Sequence, residues 1–365
     1  MFTAVLLRIA WVCYQKPIYN WDTLAYMAVV LSLTDDDTVR VHHNTYRVAR
    51  EEIPDHLYAL MVDTTHALKK TALNSPAKFF RYTSFFRIKP AFTGASFLAY
   101  RAGAPLSKAP MVPSMLSSVG IAFVLLYLLS GPFDSWVAAL LSLSIIVSPP
   151  MLEAARGAMP DALSALVILI YFCLILKPGP PWLTILILSL SILIRLDNII
   201  FAVVAVGYQF LFTLYYGKTK SSLVAVITVT IGWIAYAVWA IDFYKIDVAY
   251  EFYGGVEKMI NPGIRIKEIA VGFNTVQTSH LSVVVVVCAV VLFYNKKVNF
   301  KNLSRNQHLF LMLMIYSGAR YVLFPNLTTR FFLPVYLMAF VLLLFELRTL
   351  MASRSDEIPD PASCR

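Results

Sequence analysis

The chain has 365 residues, of which 59% are apolar and only 14% charged, and its formal net charge is +10. A soluble domain carries about 25% charged and roughly 45–50% apolar residues, so these proportions, with a mean hydropathy of +0.68, exclude an ordinary water-soluble globule. The basic excess does not point to nucleic acid, since no binding motif accompanies it and basic residues are expected beside anionic membrane lipids. Cys13, Cys173 and Cys288 lie in apolar segments and Cys364 in the tail, with no CxxC, which argues against a disulfide framework or a zinc site.

Apolar blocks near the roughly 17–25 residues that cross a bilayer recur along the chain. The pattern predicts an all-α polytopic membrane protein with about ten transmembrane helices. They fall near residues 1–15, 114–131, 135–150, 160–176, 181–195, 198–216, 221–242, 281–295, 307–324 and 330–348. The first is short, holds Arg8 and lacks a small-residue cleavage site. It is expected to be a retained span with a truncated or wrongly assigned start rather than a signal peptide. Segments 135–150 and 181–195 would need the bilayer to thin locally. No internal repeat is visible, which weakens an inverted-repeat transporter.

Short loops set the orientation. Lys218 and Lys220 share one loop, Lys296, Lys297, Lys301 and Arg305 another, and Arg348 and Arg354 follow the last span. Alternation puts all three on one side, cytoplasmic by the positive-inside rule. The outer side then receives 16–113, the turn 151–159, the tip Arg195–Asn198, the loop 243–280 and the turn 325–329. In the first outer loop Asp22 is expected to cap a helix through Leu24, Met27, Ala28 and Leu31. A second helix is expected from Pro54, with Leu57, Leu60, Met61, Ala67 and Leu68 on one face. Both would be short amphipathic helices lying in the membrane interface.

This topology gathers the unusual polar residues on the outer side: Asp22, Asp35 to Asp37, His42, His43, Arg81, Arg87 and Lys89, then Arg156 and Asp161 of "ARGAMPDAL". They are joined by Arg195 and Asp197 of "LIRLDNII" and Arg330 of "NLTTRFFLP". Ordinary roles exist for each. Arg330 could snorkel to lipid phosphate, Arg195 and Asp197 could pair with each other, and Asp161 could answer a helix dipole. The Asp35–Asp37 run suits a solvated turn ending the first helix, with a divalent metal site at Asp35 and Asp37 as the weaker alternative.

Taken together, "NWDTLAYMA", "FFRIKPAFTGASFLAYRAGAP", "ARGAMPDALSALVILI", "LSILIRLDNIIF" and "TTRFFLPVYLMAF" resemble, in order and in shared outer side, the GT-C superfamily of integral-membrane glycosyltransferases. The resemblance implies a polyprenyl-phosphate-linked sugar donor, a glycan, lipid or protein acceptor, and Asp22 at the position of the catalytic base. Such a donor already carries a phosphate leaving group, so the needs are a carboxylate for the acceptor's proton and cations for the departing phosphate. A single base predicts inversion at the anomeric carbon. Arginine's planar fork suits phosphate, and Arg81, Arg87, Arg195 and Arg330 are the candidates, with Asp161 and Asp197 also lining the substrate site.

The chain departs from the family in lacking a second acid beside Asp22, where Thr23 stands, and in having no sizeable C-terminal soluble domain. Acceptor recognition would then rest on 16–113 and 243–280, the latter a lid carrying Tyr253, or else an interfacial aromatic belt. No cofactor is firmly implied and a divalent metal stays open. The alternatives are an O-antigen or exopolysaccharide polymerase, a lipid-linked glycan transporter and a purely structural membrane subunit. The expected setting is a bacterial inner membrane with the site facing outward, or the ER membrane with a lumenal site in a eukaryote.

Overall fold

The computed structural model describes residues 1–65, 67–177, 180–215, 221–246, 279–293, 303–323 and 329–355. Among the described residues the chain is all-helical, and its helices coincide closely with the ten apolar segments. These are α1 (Phe2–Gln15), α8 (Met111–Leu129), α9 (Ser135–Ile146), α11 (Asp161–Leu176), α12 (Pro181–Ile194) and α13 (Asn198–Tyr215). They continue with α14 (Ser221–Phe243), α15 (Ser279–Phe293), α16 (Arg305–Leu323) and α17 (Leu333–Ser355), the last entered through a 3₁₀ turn, Thr329–Phe332. Between them lie α2 (Trp21–Leu31), α3 (Thr38–Glu52), α4 (Asp55–Met61), α5 (Ala67–Asn74), α6 (Pro76–Arg87), α7 (Pro90–Arg101) and α10 (Pro149–Arg156).

By length and composition, two helical stretches among the described residues could cross a membrane, Met111–Leu129 and Arg330–Met351. The pair α9–α10, bent by 65°, passes the same test together. Most of the other predicted spans are shorter apolar helices. The 14 residues of α12 reach only about 21 Å at 1.5 Å per residue, against about 30 Å of hydrocarbon. The segment expected as an outer turn at 151–159 is instead largely helix. Ser148, Pro149 and Pro150 end α9 and start α10, because proline is tolerated in a first helical turn and not inside a helix. At Gly120 an added Cβ would come within 2.9 Å of Leu166 Cδ2, so glycine there permits the close approach of α8 and α11.

Among the described residues the first loop holds six helices, α2 to α7, rather than two. Leu24, Met27, Val41, Tyr46, Ala49, Met61 and Phe79 form its own buried core, drawn from α2 to α6. Helix α2 is buried on every face from Thr23 to Val30, because its residues are apolar all round rather than along one stripe. Its cap is Asn20, whose Oδ1 accepts from Thr23 N at 3.2 Å while Thr23 Oγ1 accepts from Asn20 N at 3.3 Å. Asp22, the expected cap, lies inside the first turn. Asp37 caps α3, accepting from Val39 N at 2.9 Å and Arg40 N at 3.2 Å, so the acid run follows the end of α2 and also starts the next helix. The helix expected from Pro54 to Leu68 is broken in two. Asp63 Oδ1 takes Thr65 N at 2.9 Å, a local turn that competes with the helix.

A third cluster, including Tyr26, Phe86, Phe92, Met111 and Ala158, joins this loop unit to the main bundle. At one end of the bundle, Arg305 Nη1 donates to the carbonyl of Leu176, the last residue of α11, at 3.2 Å, and Arg348 Nε to that of Pro132 in the turn after α8 at 3.0 Å. The opposite end holds the start of α11, the α12–α13 tip and the start of α17.

Candidate functional site

Each of those elements delivers a charge to one place. Asp161 opens α11, Arg195 and Asp197 form the α12–α13 turn, Arg320 closes α16, and Arg330 sits in the 3₁₀ turn before α17. From the loop unit come Asp22 on α2 and Lys89, the residue before α7. The turn is pinned by Asn198, whose Nδ2 donates to Ser164 Oγ and to Ser191 O, both at 2.8 Å.

Arg195 is 9% exposed and each of its three guanidinium nitrogens donates a hydrogen bond. Nε and Nη2 grip Asp197 at 3.0 and 2.9 Å, and Nη1 bonds Asp161, which is only 3% exposed. Arg320, also 3% exposed, adds a 2.7 Å bond from Nη2 to Asp197 Oδ2. Burial works against a charged Asp197, yet Arg195 and then Arg320 outweigh it and hold the carboxyl well below the usual range. Arg330 differs. Nη1 reaches Asp22 Oδ2 at 3.3 Å and touches Met159 Sδ, while its buried Nε has no hydrogen-bond partner among the described residues. The Asp22 and Arg330 side chains stay 26% and 23% exposed, so this pair is reachable from solvent and the Arg195 pairs far less so. Phe331 lies against all three guanidiniums, each 5.0 Å from its ring centroid.

Lys89 is 7% exposed, with Nζ 4.2 Å from the Phe85 ring, 4.7 Å from Phe86 and 5.6 Å from Tyr26. Burial, and next the charge of Arg195, pull its pKa down to about 8, while Asp22, Asp197 and Asp161 oppose the fall. Between pH about 8 and its ordinary 10.5 the folded chain has released this proton and the unfolded chain still binds it. Stability from this group therefore rises with pH through that window and is lowest below it. Lys89→Met should be the more stable form below pH about 8, with the difference shrinking towards 10.5; thermal unfolding of both proteins across this range measures it. Parallel curves would refute the assignment.

Of the residues singled out in the sequence, Asp22, Lys89, Asp161, Arg195, Asp197 and Arg330 are brought together. Arg81 is exposed on α6 and Arg87 is half-buried against Phe80, 5.1 Å from its ring, with Nε buried and unpartnered among the described residues. Tyr253 and most of 243–280 lie outside the described residues. Asp35 and Asp37 are at the far end of α2, about 16 Å along a helix of 11 residues. Asp35 is taken up by the Arg40 guanidinium and by Asp37 N, which hold its carboxyl below the usual range. No group of three or more His, Cys, Asp or Glu suited to a metal occurs among the described residues. Arg320 escaped the sequence reading because "YSGARYVL" was absorbed into an apolar span. The available signal was a charge within one turn of the end of that apolar segment.

With all groups ionised, four cations (Lys89, Arg195, Arg320 and Arg330) face three carboxylates (Asp22, Asp161 and Asp197), leaving one positive charge over. Such a site can hold an oxyanion and, beside it, present a carboxylate for proton transfer. No family model matches the chain, and no curated protein or solved structure matches it either.

Proposed function

We propose that the protein is an integral-membrane, inverting glycosyltransferase that moves a sugar from a polyprenyl-phosphate donor to a glycan, lipid or protein acceptor on the outer face of the membrane. The observation that carries this reading is the convergence of Asp22 with a cation-rich cluster at one end of an apolar helical bundle. Membrane insertion is supported by apolar side chains left facing outward. On α14, Ile227, Ile231, Ile234 and Val238 follow helical spacing and are each about half exposed, a stripe that water would penalise and lipid would not. The location of the cluster at helix ends, beside a partly exposed loop unit, suits a donor whose tail lies in the bilayer and whose phosphate sits at its surface.

In this proposal the acceptor hydroxyl oxygen attacks the anomeric carbon from the face opposite the phosphate. Its proton passes to Asp22, and the bond between the anomeric carbon and the phosphate oxygen breaks, releasing polyprenyl phosphate. Arg330 stabilises the charge growing on that oxygen, since its Nε edge is uncommitted. Arg195, with its donors committed to Asp161 and Asp197, fixes the wall of the site. The test is consumption of radiolabelled polyprenyl-phosphate sugars by the full-length protein in lipid bilayers. Arg330→Ala should cost about 2–4 kcal/mol of transition-state stabilisation, roughly 30- to 1,000-fold in rate. Arg330→Lys should fall between, because a point charge loses the two-pronged geometry. Turnover unchanged in Arg330→Ala, or no donor consumed by the unmodified protein, would defeat the reading.

A further inference from the structure

We infer that Tyr26 is a substrate-binding residue of this site, its hydroxyl donating a hydrogen bond to an oxygen of the donor phosphate; this rests on the donor reading above. Tyr26 is 0% exposed, and its hydroxyl is buried with no hydrogen-bond partner among the described residues. An unpaired buried hydroxyl costs about 1–3 kcal/mol. A side chain kept for packing alone would lose nothing by being phenylalanine. The ring itself is locked, packing edge-on against Phe86 at 5.0 Å and Phe92 at 4.8 Å, so the hydroxyl has a fixed direction.

Tyr26 lies one helical turn along α2 from Asp22, a member of the ion cluster. Asp22, Asp161, Arg195 and Arg330 all act electrostatically on the hydroxyl, and Lys89 Nζ lies 5.6 Å from the ring centroid. Burial, then the nearby acids, push the phenol well above its normal range, so it keeps its proton and can donate. Tyr46 is also buried with an unpaired hydroxyl, but its ring packs among His42 and Phe79 in the loop core, away from any such cluster. Tyr26 and Arg330 thus offer two buried donors without a partner among the described residues, at a site where four cations face three carboxylates. A phosphate monoanion or diester oxygen is the ligand that would satisfy both.

Tyr26→Phe removes one oxygen and leaves the packing, so folding does not confound the test. The probe is a short-chain prenyl phosphate without sugar, titrated into the full-length protein in nanodiscs, with unfolding temperature measured on the same samples. A hydrogen bond to a charged oxygen corresponds to a loss of about ten- to a hundred-fold in affinity. The unfolding temperature should hold or rise, because an unsatisfied hydroxyl has gone. Equal affinity of both proteins for the probe would overturn the role of Tyr26 while leaving the donor reading standing. An unmodified protein that binds no prenyl phosphate would overturn both. Weaker binding accompanied by a fall in unfolding temperature would also overturn it, since it would show the hydroxyl to be a structural contact.

Discussion

Asp22→Asn is expected to slow sugar transfer by at least about 100-fold, the lower end of what a general base contributes, with the fold intact. The substitution keeps the side chain's shape. It does not touch the start of α2, because Asn20 and Thr23 make that cap between them. Its only ionic partner among the described residues is Arg330, at 3.3 Å and partly exposed, so loss of the charge leaves no deeply buried unpaired ion. Donor affinity should hold or tighten, since Arg330 is released to the phosphate while one negative charge leaves the site. The expected signature is a fall in kcat with unchanged or lower donor Kd, read from single-turnover assays and donor titration. Near-normal turnover in Asp22→Asn would remove the catalytic assignment. A parallel loss of donor binding would instead make Asp22 a residue that shapes the phosphate site.

Arg195→Ala should act on folding before it acts on chemistry. Asp161 would be left 97% buried without the guanidinium that neutralises it, and breaking a buried pair at one partner costs about 3–5 kcal/mol. Arg320 still holds Asp197 at 2.7 Å, so most of the loss falls on Asp161. Arg195→Lys should recover only part, because one ammonium cannot make the fork to Asp197 and the bond to Asp161 together. Replacing Arg195 and Asp161 together by neutral residues of similar size should cost less than the single change, since Asp161 is no longer a stranded ion and Arg320 keeps Asp197. Denaturant unfolding in micelles reports all of these. A single Arg195→Ala variant within about 0.5 kcal/mol of the parent, the usual range for surface changes, would show that the pair is not structural.

Local pattern was enough to place the ten apolar helices expected as spans. Long apolar runs bounded by Pro, Gly and charges, as at "KPGPPWLT" before α12 and "LIRLDNII" after it, mark helix ends because proline and unpaired charges each stop an apolar helix. Alternation of those runs was also enough to put Asp22, Asp161, Arg195, Asp197 and Arg330 at one end, since consecutive helices with short connections must reverse direction. The rest depended on contacts distant in sequence. "TVRVHHNTYRVAREE" has too few apolar residues to advertise α3, whose Val41, Thr45, Tyr46 and Ala49 are buried only because α2 and α6 cover them. Helix α2 reads as a surface element by length, yet it is enclosed on all sides by the loop unit and the bundle. Of the division of labour among the arginines, the chain showed only that Arg195 could pair with its neighbour Asp197. Arg195 and Arg330 are alike as letters at helix ends. Only the meeting of α11, α16 and the α12–α13 turn commits the first to Asp161 and Asp197, and leaves the second with an edge unbound. Hydrogen-bond geometry at a guanidinium is settled by atoms brought together from more than a hundred residues apart, and local sequence carries no record of that meeting.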